Sequence, residues 1–161
     1  MMSVIVILEV ANLFFAGLLS GAEYVVRYGV RVPLNVLDVQ PQLQFRQALI
    51  RTLRLAVPAV YVPTILSALA VTIMNGTSTG LVFRCVGLLA MLIWSITTFL
   101  GTVPLNQDLL TWLPEAPPEN WRAVIAKWER LDMVRFWAAL IAFASFITAV
   151  AVRLITIPNH S

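Results

Sequence analysis

The chain has 161 residues, of which 60% are hydrophobic and only 12% are charged, and its mean hydropathy is +0.86. A soluble domain averages about a quarter charged residues and could not bury so much apolar surface, so the composition excludes a water-soluble fold and indicates an integral membrane protein. The net charge of +3 would suit nucleic acid, but the basic residues are placed as membrane topology requires, and we expect no nucleic-acid partner.

Four apolar segments are long enough to cross a bilayer, which takes about 20 residues of α-helix. We predict spans at about 3–26, 55–74, 81–103 and 134–155, with the polar turn NGTSTG between the second and third. The first apolar run has no preceding Lys or Arg and is interrupted by Glu9, so we expect a retained helix rather than a signal peptide. The sequence therefore predicts one transmembrane domain, residues 1–161, folded as an all-α antiparallel four-helix bundle whose partner is the lipid bilayer.

The positive charges predict the orientation of this bundle. Nine of the eleven basic residues follow the first span or lie between the third span and the start of the fourth: Arg27, Arg31, Arg46, Arg51, Arg54, Arg122, Lys127, Arg130 and Arg135. Only Arg84 and Arg153 fall toward the other end. The positive-inside rule then makes the loops at 27–54 and 104–133 cytoplasmic and puts both termini outside, as in a protein of the bacterial inner membrane.

The tetrapeptide VPLN occurs at 32–35 and again at 103–106, each time at the end of a predicted span. Similar segments follow, FRQALIRTLR and WRAVIAKWER, which we predict to be amphipathic helices at the interface that lead into the next span. In both copies we expect proline to end the span and Asn35 or Asn106 to cap the next turn. The conjunction favours a parallel duplication of a two-helix unit, with a pseudo-twofold axis along the membrane normal.

Polar and small residues of the first span recur on one helical face, namely Glu9, Asn12, Ala16, Ser20, Glu23 and Arg27. Because lipid penalises carboxylates, this face should point into the bundle. We expect Glu23 to pair with Arg135 or Arg54, while the partner of Glu9 stays open, with Arg153 among its candidates. Small and hydroxylated stripes on the other spans are predicted packing seams.

A second polar set comes from the predicted cytoplasmic ends of the helices: Glu23, Arg27, Arg54, Asn106, Asp132 and Arg135. These residues are expected to form one layer, which is either a binding pocket or a clamp that stabilises the fold. Pro58 and Pro63 interrupt the second span and could kink it, either to open a cavity or to improve packing. Trp112, Trp121 and Trp128 fit interfacial anchors, with substrate stacking as the alternative.

The sequence also lacks several kinds of catalytic site. The only histidine is His160, so no histidine metal site or Ser-His triad is available. Glu9 and Glu23 lie about 21 Å apart on an ideal helix, and no P-loop, CxxC or GxGxxG motif is present. We therefore predict no metal and no cofactor, and we expect Cys85 to be a small buried hydrophobic residue.

The segment GTVPLNQDLLTWLPEAPPENWRAVIAKWERLDMVRFWAALIAF at 101–143 carries a family resemblance. A P-x-N turn after the third of four spans, a Trp-rich amphipathic helix and a W-x-x-x-[N/H/D]-x-x-R start to the fourth span resemble the anthrone-oxygenase-like family, most of whose members are uncharacterised. The matching positions here are Pro104, Asn106, Trp128, Asp132 and Arg135.

The resemblance implies an oxidoreductase that converts an anthrone to an anthraquinone with molecular oxygen and without metal or flavin. It implies Glu23 or Asp132 as the base that removes the acidic C–H, and Asn106 and Arg135 as the donors that stabilise the resulting oxyanion. Relatives have Asn or His at the position of Asp132, which leaves a shared role for Asp132 open.

Candidate substrate-binding residues are Tyr61, Trp94 and Trp128. Whether the protein is an enzyme stays open, since fold and family do not fix chemistry. The alternative is a non-catalytic membrane protein, either an accessory subunit of a larger complex or a small-molecule binder, and a homo-oligomer is compatible with both. A cavity lined by Glu23, Asn106 and Arg135 would favour the enzyme.

Overall fold

The computed structural model describes residues 2–156, with side chains from residue 4, and His160 lies outside this part of the chain. Four long helices form the bundle. Helix α1 comprises the α-helical segments Met2–Tyr24 and Arg31–Leu34 and the π-helical turn Val25–Val30 between them; α2 is Val39–Asn75; α3 comprises Leu81–Ile96, the π-helical turn Thr97–Thr102 and Val103–Leu109; and α4 is Trp121–Thr156. All four are long and apolar enough to cross a membrane, so the predicted all-α four-helix membrane bundle is confirmed.

The helices extend well beyond the predicted spans. α2 has 37 residues and α4 has 36, which corresponds to about 55 Å of helix against a hydrocarbon thickness of about 30 Å. The segments 45–54 and 121–130 are continuous with these helices and do not bend into separate interfacial helices. Much of the chain assigned to the loops 27–54 and 104–133 is therefore helical, because no Gly or Pro breaks either junction.

The two VPLN prolines differ in how far their helices continue: α1 ends at Leu34, one residue after Pro33 and close to the predicted end, whereas α3 continues from Pro104 to Leu109. Pro33 lies within Arg31–Leu34 and Pro104 within Val103–Leu109, and each segment follows a six-residue π-helical turn. A proline in a helix collides with the carbonyl four residues earlier and cannot hydrogen-bond to it, and the wider π-helical turn absorbs this misfit. Asn106 is helical rather than a cap, so the expectation for this residue is wrong.

Two apolar clusters hold the bundle together. The central cluster joins all four helices around Leu19, Met91, Trp94 and Phe146. The second cluster joins Leu43, Ile50, Leu109, Ile125 and Trp128 at what we call the basic end, where α1 and α3 finish and α2 and α4 begin. We call the opposite end, where residues 76–80 connect α2 to α3, the turn end. The pair α1 and α2 and the pair α3 and α4 pack most extensively, and of the neighbouring helices α2 and α3 pack least against each other.

Buried glutamines close the basic end. Gln42 Nε2 donates to the carbonyl of Leu34 at 3.0 Å, and Gln47 Nε2 donates to the carbonyl of Leu109 at 2.9 Å. These carbonyls end α1 and α3 and have no partner within their own helices. Two side chains of α2 therefore satisfy the ends of both neighbouring helices, a role that the sequence patterns did not identify.

The inward face of α1 is as predicted, since Glu9, Asn12, Ala16, Ser20 and Glu23 are all buried. Cys85, which we expected to be buried, is exposed on the surface of the bundle. An apolar run within a membrane span does not imply burial inside the protein, because the lipid-facing side of the helix is as apolar as its core-facing side.

The buried positions bear on the predicted duplication. The buried residues Ala16, Leu19, Ser20 and Glu23 of α1 are each followed 71 positions later by a buried residue of α3, namely Gly87, Ala90, Met91 and Trp94. The two VPLN copies have the same spacing of 71 positions, and the two π-helical turns begin 72 positions apart. In α2 and α4 the matched arginines differ, because Arg46 is buried and Arg122 is exposed. The packing thus supports a repeat of α1 in α3, while the duplication of the whole two-helix unit stays a prediction.

Candidate functional site

A cavity of about 480 Å³ separates the central cluster from the cluster at the basic end. Its wall includes Leu19 from the first cluster and Ile50 from the second, and it is mostly apolar. All seven residues singled out from the sequence line it: Glu23, Tyr61, Trp94, Asn106, Trp128, Asp132 and Arg135. The fold therefore brings into one cavity residues that are up to 112 positions apart in the chain.

Glu23 is engaged by two neighbouring side chains through its Oε1 atom. Its carboxylate, 3% exposed, forms an ion pair with Arg135 and accepts a hydrogen bond from Trp94 Nε1 at 2.9 Å. The guanidinium of Arg135 also lies over the indole ring of Trp94, 5.0 Å from its centroid. The predicted Glu23–Arg135 pair is thus present. Together with Trp94, it joins α1, α3 and α4 at the wall of the cavity nearer the turn end.

Asp132 has the opposite environment, although it is the same kind of group. It is 2% exposed, and neither carboxylate oxygen accepts a hydrogen bond from any residue in the described part of the chain. The nearest cation is Arg27, whose Nη1 lies 3.9 Å from Oδ2. Buried carboxylates are normally hydrogen-bonded, so Asp132 presents unused acceptor atoms beside the cavity.

Asn106 is oriented by Trp128. Trp128 Nε1 donates to Asn106 Oδ1 at 2.9 Å, and because the indole nitrogen can only donate, the amide oxygen must face it. The amide NH₂ of Asn106 is left as a donor for a ligand in the cavity. Trp128 is buried, and it therefore acts inside the protein instead of anchoring the surface at the interface.

Aromatic rings close the cavity toward the centre of the bundle. The ring of Tyr61 stacks on the indole of Trp94 with centroids 4.8 Å apart and planes inclined by 18°. The Tyr61 hydroxyl lies 2.6 Å from Ser95 Oγ, and it acts as the donor because the serine proton goes to the carbonyl of Met91. Tyr61 thereby joins α2 to α3 on the side of the cavity nearer the turn end. Its ring offers a flat apolar surface to a ligand.

Further polar groups line the cavity. The Thr98 hydroxyl is buried and has no hydrogen-bond partner among residues 2–156, and it belongs to the π-helical turn of α3. Thr98 follows Trp94 by four positions, so the helical stripe containing both was the signal available in the sequence. Arg54 also lines the cavity but is exposed. Pro58, one of the two prolines of α2, is part of the same wall.

Two other charged clusters lie outside the cavity. At the turn end, Glu9 pairs with Arg153, which was among its candidate partners, and with Arg84 at 3.6 Å, which was not. At the basic end, Glu129 accepts Arg31 at 2.7 Å and Arg46 at 3.2 Å. Both clusters connect helices through ion pairs, and we interpret them as parts of the fold.

Within the described residues no three His, Cys, Asp or Glu side chains come together as metal ligands would. The chemistry available at the cavity is therefore that of one carboxylate without a hydrogen-bond donor, an amide, a guanidinium and a hydroxyl in an apolar, aromatic environment. Comparison of the chain with protein-family models, with curated proteins and with solved structures finds no match.

Proposed function

We propose that this protein is a membrane-embedded, cofactor-independent oxygenase that oxidises a hydrophobic aromatic molecule of the anthrone type. The observation that carries the proposal is the buried Asp132 carboxylate, which has no hydrogen-bond donor in the described chain and borders a largely apolar cavity. Such a group is a suitable base for a weakly acidic C–H bond, because hydrogen bonds do not stabilise its ionised form.

The size and lining of the cavity agree with this class of substrate. A volume of about 480 Å³ lies within the range of about 300–1,000 Å³ for small-molecule pockets, which are mostly apolar with a few placed polar groups. The ring of Tyr61, which is only half-buried and is backed by the indole of Trp94, provides a flat wall for a polycyclic substrate.

The proposed reaction balances with molecular oxygen as the only oxidant. Asp132 removes a proton from the anthrone CH₂ group, and the carbanion transfers electrons to O₂ and forms a C–O bond, which gives a peroxide. Protonation of the peroxide, loss of the second C–H proton and cleavage of the O–O bond then give the carbonyl of the anthraquinone and one molecule of water. The first step places negative charge on the substrate oxygen, which is the charge that must be stabilised.

Asn106 and Arg135 are the donors proposed for that oxygen. Asn106 keeps its NH₂ free because Trp128 holds its carbonyl oxygen, and Nε of Arg135 is buried without a partner among the described residues. Glu23 orients Arg135 through their ion pair. In this proposal Asp132 is the base and Glu23 is a positioning residue, which resolves the alternative that the sequence left open.

Oxygen uptake by the purified full-length protein, given an anthrone, tests the proposal. We expect Asp132→Asn to lower the rate at least about 100-fold, the usual contribution of a positioned base. Asp108→Asn is the matched control, since Asp108 is exposed and does not line the cavity. Anthraquinone should form in a one-to-one ratio with the oxygen consumed. A wild-type rate no faster than buffer, or full activity in Asp132→Asn, would contradict it.

A non-catalytic small-molecule binder is the second candidate. It is favoured by the two contacts of Glu23 Oε1, with Arg135 and with Trp94, because a carboxylate held in this way resembles a clamp more than a reactive group. Binding of a flat aromatic ligand without oxygen uptake above the buffer rate would support the binder and refute the oxygenase.

A further inference from the structure

The exposed residues that line the cavity lie mainly on α2 and α3, which places a lateral opening between these two helices. The backbone of α2 lies close to the Leu81–Ile96 segment of α3 but not to the π-helical turn that follows it, which packs on α4 instead. At this point the two helices meet through the rings of Tyr61 and Phe99, which are edge to face with centroids 6.3 Å apart. The opening is bounded toward the turn end by the Tyr61–Ser95 hydrogen bond and toward the basic end by the hydrogen bond from Gln47 to Leu109. Between these two contacts the wall of the cavity is incomplete.

The rim of this opening changes from apolar to polar along its length. Three exposed residues line the part of the cavity nearer the turn end, within the predicted spans: Pro58, Val62 and Phe99. Arg54 and Gln107, also exposed lining residues, lie toward the basic end, just outside these spans. The part of the rim nearer the turn end thus faces acyl chains, while the part nearer the basic end is at the level of the headgroups.

Arg54 is distinguished from the other charged residues of the cavity by its lack of an ion partner. Glu23 pairs with Arg135, and Asp132 lies near Arg27, whereas no carboxylate within residues 2–156 lies within ion-pair distance of Arg54. A guanidinium at the edge of an apolar cavity is suited to bind a carboxylate or a similar acidic group through paired hydrogen bonds.

We propose that the cavity takes an aromatic amphiphile with an acidic group from the bilayer, through the opening between α2 and α3, and that Arg54 binds the acidic group. The flat apolar part of the ligand lies against the ring of Tyr61, and the acidic group stays at the headgroup level. This inference deepens the proposed function by naming its substrate class, but the binding part does not require the oxygenase reaction.

Binding of two non-oxidisable ligands to the full-length protein in phosphatidylcholine nanodiscs tests the role of Arg54. The ligands are anthracene-9-carboxylate and the neutral 9-methylanthracene, followed by fluorescence anisotropy against protein-free discs. We expect the wild type to prefer the carboxylate by about tenfold, which equals about 1.4 kcal/mol. In Arg54→Gln the preference should vanish, while 9-methylanthracene still binds and so reports an intact fold.

Arg51→Gln is the matched control, because Arg51 lies three positions earlier on α2, is exposed and does not line the cavity. It should keep the preference for the carboxylate. Equal affinity of the wild type for both ligands would overturn the proposal and would mean that Arg54 contacts only lipid phosphate. An unchanged preference in Arg54→Gln would also overturn it.

The route is tested by narrowing the opening. Val62→Trp adds bulk at the rim, and Leu66→Trp adds the same bulk one turn away, at an exposed residue that does not line the cavity. Association and dissociation of anthracene-9-carboxylate, measured by stopped flow, should both slow in Val62→Trp and stay unchanged in Leu66→Trp. Unchanged rates in Val62→Trp would exclude the lateral route.

These outcomes are distinguishable from failure of the oxygenase. Selective binding that depends on Arg54, in a protein that consumes no oxygen with an anthrone, would refute the reaction and retain the inference about the ligand. Oxygen uptake with an anthrone that carries a carboxyl group, if lost in Asp132→Asn but insensitive to both Arg54→Gln and Val62→Trp, would retain the reaction and refute the inference.

Discussion

Two buried carboxylates on neighbouring helices have different partners, and the difference follows from the arginines around them. Arg135 is engaged by Glu23, while Arg31 and Arg46 are drawn to Glu129. Asp132 is left with only a distant contact to Arg27. The geometry of these pairs thus produces one neutralised carboxylate and one available carboxylate in the same cavity.

This difference predicts opposite effects on stability. Glu23→Gln leaves Arg135 buried without its counter-ion, and breaking a buried ion pair in this way costs about 3–5 kcal/mol. Asp132→Asn removes a buried charge that has no hydrogen-bonded partner, and should leave the stability unchanged or raise it. Thermal unfolding in detergent measures both, with Glu119→Gln in the exposed 110–120 loop as the control. A large loss of stability in Asp132→Asn would mean that Asp132 is a structural partner of Arg27.

The Glu23–Arg135 pair could be predicted from the sequence. Helical periodicity places Glu23 on the inward face of its helix, and the predicted spans place Arg135 at the same depth in the membrane. The isolation of Asp132 could not be predicted. It depends on which arginine side chain reaches which carboxylate across the bundle, and several arginines lie at the same depth.

At the scale of the helices, small residues set how closely the four helices approach. A Cβ atom at Gly87 of α3 would lie 2.3 Å from Phe146 Cε1 of α4, whereas a Cβ atom at Gly21 of α1 would meet no atom within 4 Å. The ring of Phe146 is buried and cannot move aside without disturbing the central cluster.

Replacing these two glycines with alanine should therefore have opposite effects. We expect Gly87→Ala to destabilise the protein by about 1–3 kcal/mol through overpacking. Gly21→Ala should have no cost, or stabilise by up to about 1 kcal/mol, because alanine favours the helix. Chemical unfolding in mixed micelles measures both changes. Equal stability of the two variants would show that α3 and α4 can separate at this point without loss.

The VPLN motifs predicted the position of a special feature of α1 and α3 but not its form. Proline was expected to end each helix; α1 does end one residue after Pro33, whereas α3, with a π-helical turn in front of Pro104, continues to Leu109. Sequence periodicity reports which residues share a face, and it is insensitive to one extra residue in a turn. Only the backbone reveals that Thr98 and Thr102 line the cavity from such a turn.

At the scale of the whole molecule, the distribution of basic residues predicts that the basic end is cytoplasmic and the turn end is outside. In a Cys85→Ser background, we expect Thr77→Cys in the 76–80 turn to react with a membrane-impermeant maleimide in intact cells. Glu119→Cys in the 110–120 loop should react only after the membrane is permeabilised. The reverse pattern of labelling would refute the predicted orientation.

The sequence by itself determined that the chain is a four-helix membrane protein, because crossing lipid requires long apolar helices and the polar stripes have a readable period. The patterns of the sequence and the family resemblance also singled out seven of the residues that line one cavity. Only the tertiary structure decided that α2 and α3 diverge to open the cavity, that Asn106 is oriented by Trp128, and that Asp132 lacks a hydrogen-bond donor. These features depend on distances between side chains of different helices, which the packing of the bundle fixes and the sequence pattern does not encode.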